Sequence, residues 1–179
     1  MNNELANVLV ESKIAVIPTD TIYGIVARAE DQNAVERVYS VRRRNPSKPC
    51  IILISSISDI KKFGIEVTQF ESTLASYWPG PVSIVVQCPA SEFENLHRGT
   101  NSLCFRMPDV EWLRELIGKT GPLIAPSANI EGNTPARNVA EAREQFGDDV
   151  DFYMDGGDVD GKPSKVISLM DGSVTVLRD

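Results

Sequence analysis

Short apolar runs alternate with amphipathic segments along the chain. The apolar runs predict buried strands at residues 13–18, 50–54, 82–88, 102–107 and 122–126. Apolar residues at helical spacing predict helices over residues 31–43, 68–78, 110–117 and 138–146. Alternating strands and helices with short connections predict an α/β fold, in which helices flank an open sheet.

Residue types typical of helix starts support these boundaries. Asp31 precedes one predicted helix, and Asn138 precedes another with Glu141 three residues later. Thr68 and Glu71 have the spacing of a capping box, in which each side chain binds the other residue's backbone N–H. The sequence therefore predicts capped helix starts at three places.

The end of the chain has the pattern of a β-hairpin. The runs "KVISLM" (165–170) and "SVTVLR" (173–178) are separated by Asp171 and Gly172, two residues that tolerate a positive φ. A hairpin adds at least one antiparallel pair, so we expect a twisted, mixed parallel and antiparallel sheet. No repeat or linker divides the chain, and we expect one domain over residues 1–179.

Composition narrows the class of protein. The 179 residues are 42% hydrophobic and 24% charged, which is typical of a globular domain. The apolar runs are far shorter than the roughly 20 residues that cross a membrane. The N-terminus lacks the pattern of a secretory signal, so we expect a cytoplasmic protein without membrane contact.

The cysteines, the histidine and the net charge argue against several chemistries. Cys50, Cys88 and Cys104 are odd in number and lie in apolar runs, which favours reduced, buried thiols. His97 is the only histidine, so a histidine-based zinc site or triad is not expected. A formal net charge of −7 argues against a protein that coats nucleic acid through bulk charge.

Polar side chains follow the first predicted strand in the segment "PTDTIYG" (18–24). Thr19, Asp20, Thr21 and Tyr23 place three hydroxyls and a carboxylate at a strand end, where ligands of α/β proteins usually bind. The alternative is a hydrogen-bonded turn, because Thr and Asp favour turns in any case.

A cluster of cations, "SVRRRNPSKP" (40–49), follows the first predicted helix. Its simplest explanation is a solvated helix end, where positive charge is favoured by the helix dipole. If the chain is already extended there, Arg42 and Arg44 point the same way and, with Lys48, form a cation cradle for a polyphosphate or carboxylate. Arg43 then points to water.

Two further segments combine a strand end or helix end with unusual residues. In "GPLIAPSANIEGNTP" (121–135), a buried strand leads into Ser127 and Asn129, although both residues are common in loops. In "YWPGPVS" (77–83), we interpret Trp78 as a core residue beside a rigid helix stop.

Taken together and in order, these segments resemble one family. The ordered set "PTDTIYG", "RRRNPSKP", "WPGPVS", "SLCFRMP", "APSANIEG", "PSKVIS" and "VLR" is similar to the YrdC-type threonylcarbamoyl-AMP synthases, called TsaC in bacteria. The likeness runs from about residue 13 to residue 178. It implies the YrdC-like fold in its single-domain form.

The resemblance also implies an activity. Family members join L-threonine, bicarbonate or CO2, and ATP into threonylcarbamoyl-AMP and release pyrophosphate. The product serves t6A modification of tRNA, which implies downstream transferase proteins as partners. Mg²⁺ is expected to accompany ATP, and no resident metal site is implied. A monomer or a homodimer is compatible with the family.

The family's functional positions can be carried onto this sequence. Its Lys-x-Arg and Ser-x-Asn pairs, which surround the reacting groups, match Arg42, Arg44, Ser127 and Asn129. The resemblance implies threonine contacts at Thr21, Tyr23, Arg106, Ser127 and Ser164. It implies ATP contacts at Arg42, Arg44, Lys48, Ser102, Asn129, Arg137 and Arg178.

Two residues depart from the family pattern. Arg42 stands where lysine is usual, and a planar guanidinium differs in geometry from an ammonium. Lys165 stands where threonine is common; it either adds a cation at the pocket mouth or faces water. Two alternatives remain open: a module that binds double-stranded RNA or tRNA, and a paralogue with altered carbamoyl-transfer activity.

Overall fold

The computed structural model describes residues 2–170 and 172–179. The helices are α1 (Asn2–Val10), α2 (Gln32–Val41), α3 (Glu71–Tyr77), α4 (Glu94–His97), α5 (Glu111–Thr120) and α6 (Val139–Phe146). The strands are β1 (Ala15–Ile17), β2 (Gly24–Arg28), β3 (Ile51–Leu53), β4 (Val82–Gln87), β5 (Ser102–Arg106), β6 (Leu123–Ile124), β7 (Phe152–Tyr153), β8 (Lys165–Ser168) and β9 (Thr175–Arg178). Short 3-10 helices cover Ile57–Phe63, Ser91–Phe93 and Gly147–Asp149.

The strands form one open, mixed sheet. Within the described residues, nine strands follow the order β7–β1–β2–β6–β3–β5–β4–β8–β9. The pairs β1–β7, β3–β5 and β4–β8 are parallel, and the other neighbouring strands are antiparallel. This architecture confirms the predicted mixed sheet with flanking helices.

Both faces of the central sheet are covered. Ile25 and Ile52 belong to one buried cluster, whereas their chain neighbours Val26 and Leu53 belong to a second cluster on the opposite face. Because successive strand residues point to opposite faces, a strand buried on both sides needs an uninterrupted apolar sequence. The continuous apolar runs of the sequence follow from this layered arrangement.

The five strands predicted from apolar runs are all present. Their observed ends lie within two residues of the predicted ends. The four predicted helices are also present. Sequence patterns missed α1, α4, β2 and β7. β7 is a two-residue strand and α4 a four-residue helix, so neither is long enough to show a period.

Two of the three predicted helix caps are confirmed. The Asp31 carboxylate accepts a hydrogen bond from the Ala34 N–H, and the Asn138 side chain accepts one from the Glu141 N–H, each over 3.0 Å. The predicted capping box at Thr68 is wrong. Residues 68–70 form a turn, so α3 begins at Glu71 with Phe70 in the cap position and without a side-chain cap.

The C-terminal hairpin is confirmed as an antiparallel pair of β8 and β9. Its last paired residues are Ser168 and Thr175, so the connection covers residues 169–174. The predicted two-residue turn includes Asp171, which lies outside the described residues.

Trp78 and the three cysteines test the predicted core. Trp78 is buried and donates from Nε1 to the Val82 carbonyl oxygen over 2.6 Å, as expected of a core residue. Cys50, Cys88 and Cys104 are free thiols, and the first two are buried as predicted. Cys104 is only half-buried, because it lines a pocket. In the described part of the chain, no helix is long and apolar enough to cross a membrane.

Candidate functional site

A pocket of about 600 Å³ lies where several strand ends and loops meet. Its wall is formed by the loop between β1 and β2, the segment after α2, β5, the segment after β6, and the C-terminal hairpin. Eight of the predicted site residues line this pocket: Thr21, Tyr23, Arg44, Ser102, Arg106, Ser127, Ser164 and Arg178. Four predicted residues, Arg42, Lys48, Asn129 and Arg137, are not part of its lining.

Arg106 supplies a buried cation to one end of the pocket. It is the last residue of β5, and its side chain is only 5% exposed. Nη1 donates to the Thr21 hydroxyl over 2.7 Å, and Nη2 lies 3.3 Å from the Asp20 carboxylate. Nε has no hydrogen-bond partner among the described residues.

Burial lowers the pKa of Arg106, and the nearby Asp20 carboxylate opposes that shift. A buried guanidinium with a spare donor is well suited to a substrate carboxylate.

The segment "PTDTIYG" is both a hydrogen-bonded turn and a pocket wall. The Thr19 hydroxyl donates to the Ile22 carbonyl oxygen over 2.8 Å and accepts from the Thr21 N–H over 3.2 Å. These bonds fix the turn that holds the Thr21 hydroxyl beside Arg106. The two interpretations of this segment are therefore compatible.

Tyr23 contributes to the wall, but its hydroxyl is fully occupied. The side chain is buried, its hydroxyl donates to the Gly157 carbonyl oxygen over 2.9 Å, and it accepts from the Gly156 N–H over 2.8 Å. The role of Tyr23 in holding a substrate would come from its position in the wall.

The cation cluster has a different geometry from the predicted extended chain. The Arg43 N–H binds the Ser40 carbonyl oxygen, and the Arg44 N–H binds the Tyr39 carbonyl oxygen. These two bonds, with Arg43 at φ 50°, form a Schellman motif, a common way for a helix to end. The extended geometry expected for Arg42 and Arg44 is therefore wrong, because the left-handed residue between them turns the chain.

This turn separates the two arginines. Arg44 lines the pocket, and it donates from Nη2 to the Pro49 carbonyl oxygen over 2.8 Å. Arg42 is 2% exposed and points into the protein. Arg43 is exposed, as predicted. Arg44 thus lies in the pocket wall, Arg42 in the interior and Arg43 at the surface.

Arg42 supports the Ser127–Asn129 segment from behind. Its Nε donates to the Asn129 carbonyl oxygen over 3.0 Å, and Nη2 donates to the Asn129 Oδ1 over 3.1 Å and to the Ser127 Oγ over 3.2 Å. The Ser127 hydroxyl in turn donates to the Asn129 Oδ1 over 2.6 Å. Burial lowers the pKa of Arg42 to about 10, with the nearby Arg44 charge adding to the shift. Only Ser127 of these three residues reaches the pocket surface.

Three other cations form ion pairs away from the pocket lining. Lys48 lies 2.7 Å from the Glu131 carboxylate, and Arg137 lies 2.8 Å from Glu141 on an exposed part of α6. Lys165, which departs from the family pattern, lies 2.6 Å from the Asp179 carboxylate. Such exposed pairs contribute little to stability.

A further part of the pocket wall combines hydroxyls with Arg178. This arginine donates from Nη2 to the Ser164 carbonyl oxygen over 2.7 Å, which ties β9 to the start of β8. The Ser164 hydroxyl shares a hydrogen bond of 2.8 Å with Ser83, a residue of β4 that lies beside Arg106. Ser102 lies at the other end of β5 from Arg106. Sequence reasoning missed the apolar residues Met170 and Leu177 in this wall. Both residues belong to the two runs of the predicted hairpin, so the hairpin pattern was the signal that could have pointed to them.

The site offers cations and hydroxyls more than metal ligands. Among residues 2–170 and 172–179, no group of three or more His, Cys, Asp or Glu side chains could hold a metal ion. The arginines and hydroxyls of the lining can stabilise negative charge on phosphate or carboxylate oxygens.

Comparison with known proteins identifies relatives of this chain. A family model described as Telomere recombination, for Sua5, YciO and YrdC proteins, matches residues 7–179. The threonylcarbamoyl-AMP synthase of Pyrococcus abyssi (strain GE5 / Orsay) is 34% identical over 173 residues, which cover 94% of this chain and 50% of that protein. The threonylcarbamoyl-AMP synthase of Escherichia coli O6:H1 (strain CFT073) is 31% identical over 191 residues, which cover 97% of this chain and 98% of that protein.

A solved structure agrees with these matches. The crystal structure of P. abyssi Sua5 complexed with L-threonine aligns with a TM-score of 0.89 and 32% identity, over 99% of this chain and 53% of that one. The chain thus spans about half the length of the P. abyssi proteins and nearly all of the E. coli protein.

Proposed function

Because the chain belongs to the Sua5/YciO/YrdC family, we propose that it is an L-threonylcarbamoyladenylate synthase, which converts L-threonine, bicarbonate or CO2, and ATP into threonylcarbamoyl-AMP and pyrophosphate. The observation that carries the proposal is the pairing of buried Arg106 with Thr21 in one pocket with Arg44 and Ser127. The names of the E. coli and P. abyssi relatives support the same activity.

The amino-acid substrate would bind at the end of the pocket formed by Arg106 and Thr21. The guanidinium of Arg106 would hold the carboxylate of threonine, and the low exposure of this cation strengthens such an ion pair. The neutral amine of threonine then attacks the carbon of CO2 and loses a proton, which gives an N-carboxylate.

ATP would occupy the part of the pocket near Ser102 and Arg178, while Ser164 would contribute to the threonine site, as the resemblance implies. An oxygen of the N-carboxylate attacks the α-phosphorus, the bond from this phosphorus to the bridging oxygen breaks, and pyrophosphate leaves. Negative charge builds up on the phosphate oxygens during this step. Arg44 and the Ser127 hydroxyl are the pocket groups that would stabilise this charge.

Mg²⁺ would enter with ATP as part of the substrate. Its ligands would be mainly phosphate oxygens and water, because Mg²⁺ usually keeps several waters and binds through substrate phosphates. The product would go to t6A transferase proteins that act on tRNA, and the reaction would take place in the cytoplasm. The alternative of an RNA-binding module receives less support, because Arg42 points inward and Lys48 is paired with Glu131.

The test is an assay of pyrophosphate release with each substrate left out in turn. We expect release only when ATP, L-threonine and bicarbonate are all present, and mass spectrometry should detect threonylcarbamoyl-AMP. Equal release without threonine would contradict the proposal. Salt-sensitive binding of tRNA without any pyrophosphate release would favour the RNA-binding alternative.

A further inference from the structure

A glycine-containing segment, residues 155–163, crosses behind the loop that carries Thr21. We call it the backing segment. It is exposed over most of its length, whereas Thr21 beneath it is 4% exposed. The segment reaches Tyr23 at one end, where the Gly156 N–H and the Gly157 carbonyl oxygen both bind the Tyr23 hydroxyl. It therefore forms the outer support of the predicted threonine end of the pocket.

Two glycines bring the backing segment close to this loop. A Cβ atom at Gly156 would lie 2.6 Å from the Cγ of Pro18, and a Cβ atom at Gly161 would lie 1.7 Å from the Thr21 carbonyl oxygen. The second position is the more restrictive, since the Thr21 backbone carbon would also lie at 2.7 Å. Neither distance is possible for a real side chain. Any residue other than glycine at position 161 must push the two backbones apart.

The backing segment is also held from the side, just before Gly161. The Val159 N–H donates to the Arg137 carbonyl oxygen over 2.8 Å, and the Asn138 side chain donates to the Asp158 carboxylate over 2.7 Å. Both partners lie at the start of α6. A side chain at position 161 would therefore displace Thr21 as well as the segment itself.

We propose that Gly161 is a positioning residue for the threonine end of the pocket. Its close backbone contact fixes the position of Thr21, and thereby the distance between the Thr21 hydroxyl and Nη1 of Arg106. The inference rests on the proposed function. Ser102 lies on β5, a separate element, at the end of that strand away from Arg106, whereas Arg178 binds Ser164, three residues after Gly161.

The experiment compares Gly161→Ala with Gly118→Ala. Gly118 lies in α5, and a Cβ atom there would have no neighbour within 4 Å, which makes it a matched control. Pyrophosphate release is measured with threonine varied at saturating ATP, and then with ATP varied at saturating threonine. We expect Gly161→Ala to raise the KM for threonine about tenfold or more, with a clearly smaller change in the KM for ATP. The Gly118→Ala control should keep both values.

A second variant, Tyr23→Phe, keeps the experiment decisive if Gly161→Ala fails to fold. It removes the hydroxyl that holds the backing segment, so Gly161 is no longer held against Thr21, and it adds no atom at position 161. We expect faster amide hydrogen exchange at Gly156 and a higher KM for threonine. Unchanged KM values in the folded variants, or equal rises for threonine and ATP, would overturn the inference. Failure of the wild-type protein to release pyrophosphate would instead overturn the proposed function.

Discussion

Arg42 holds Asn129 by two hydrogen bonds, from Nε to the backbone carbonyl oxygen over 3.0 Å and from Nη2 to Oδ1 over 3.1 Å. A guanidinium has several donors in a fixed plane, so one side chain reaches both acceptors at once. The arginine thus joins the end of α2 to the segment after β6. The arrangement explains how arginine fits a position where lysine is usual in the resembling family.

Replacing Arg42 with lysine should therefore lower both the free energy of unfolding and the kcat for pyrophosphate release. The ammonium keeps the charge, but it cannot reproduce the fork that binds Asn129 and Ser127. Leaving buried acceptors without donors costs about 1–3 kcal/mol of unfolding free energy. Urea unfolding and the kcat for pyrophosphate release would measure both effects. An Arg42→Lys variant as stable and active as the wild type would contradict this role.

Arg44 and Arg43 provide a test of pocket charge against surface charge. Removing Arg44 takes a cation out of the pocket wall, and we expect Arg44→Ala to lower kcat by about 100-fold or more. Arg43→Ala removes the same charge from an exposed position one residue away, and we expect a change within about twofold. The assay is steady-state pyrophosphate release at fixed ionic strength. Equal losses in the two variants would mean that the cluster acts through its net charge.

The sequence was sufficient for the layered α/β fold because apolar runs record burial on both faces of a sheet. It was less informative about side-chain direction in the cation cluster. Nothing in "RRRNP" signals that Arg43 takes the left-handed conformation, since glycine is the usual residue there. That single conformation decides that Arg42 points inward and Arg44 towards the pocket. Arg137 lies outside the pocket lining and pairs with Glu141 four residues later, a local spacing that the sequence does contain.

The two ends of the pocket should respond separately to loss of a hydroxyl. Thr21→Val removes the group bonded to Arg106 with little change in shape, and we expect the KM for threonine to rise about tenfold. Ser102→Ala acts at the other end, so it should raise the KM for ATP and leave the KM for threonine within about twofold. Both constants come from initial rates of pyrophosphate release. Identical KM changes in the two variants would argue against separate subsites.

Asp31 should make stability depend on pH through the start of α2, the helix that ends at the cation cluster. Hydrogen bonds from the Ser12 side chain and the Ala34 N–H hold the pKa of Asp31 below its ordinary value. Because the folded pKa is depressed, this stabilisation is fully present above the unfolded pKa of about 3.9 and is lost as pH falls through the folded pKa. We expect Asp31→Ala to lower the free energy of unfolding by about 1 kcal/mol at pH 7. The difference from the wild type should shrink below about pH 4 as Asp31 takes up a proton.

Asp31→Asn is the control, since it keeps a capping oxygen that does not titrate. At pH 7 it should lose less unfolding free energy than Asp31→Ala. Urea unfolding at several pH values measures these differences; a gap between Asp31→Ala and the wild type that stays constant from pH 7 to pH 3 would contradict the charged cap.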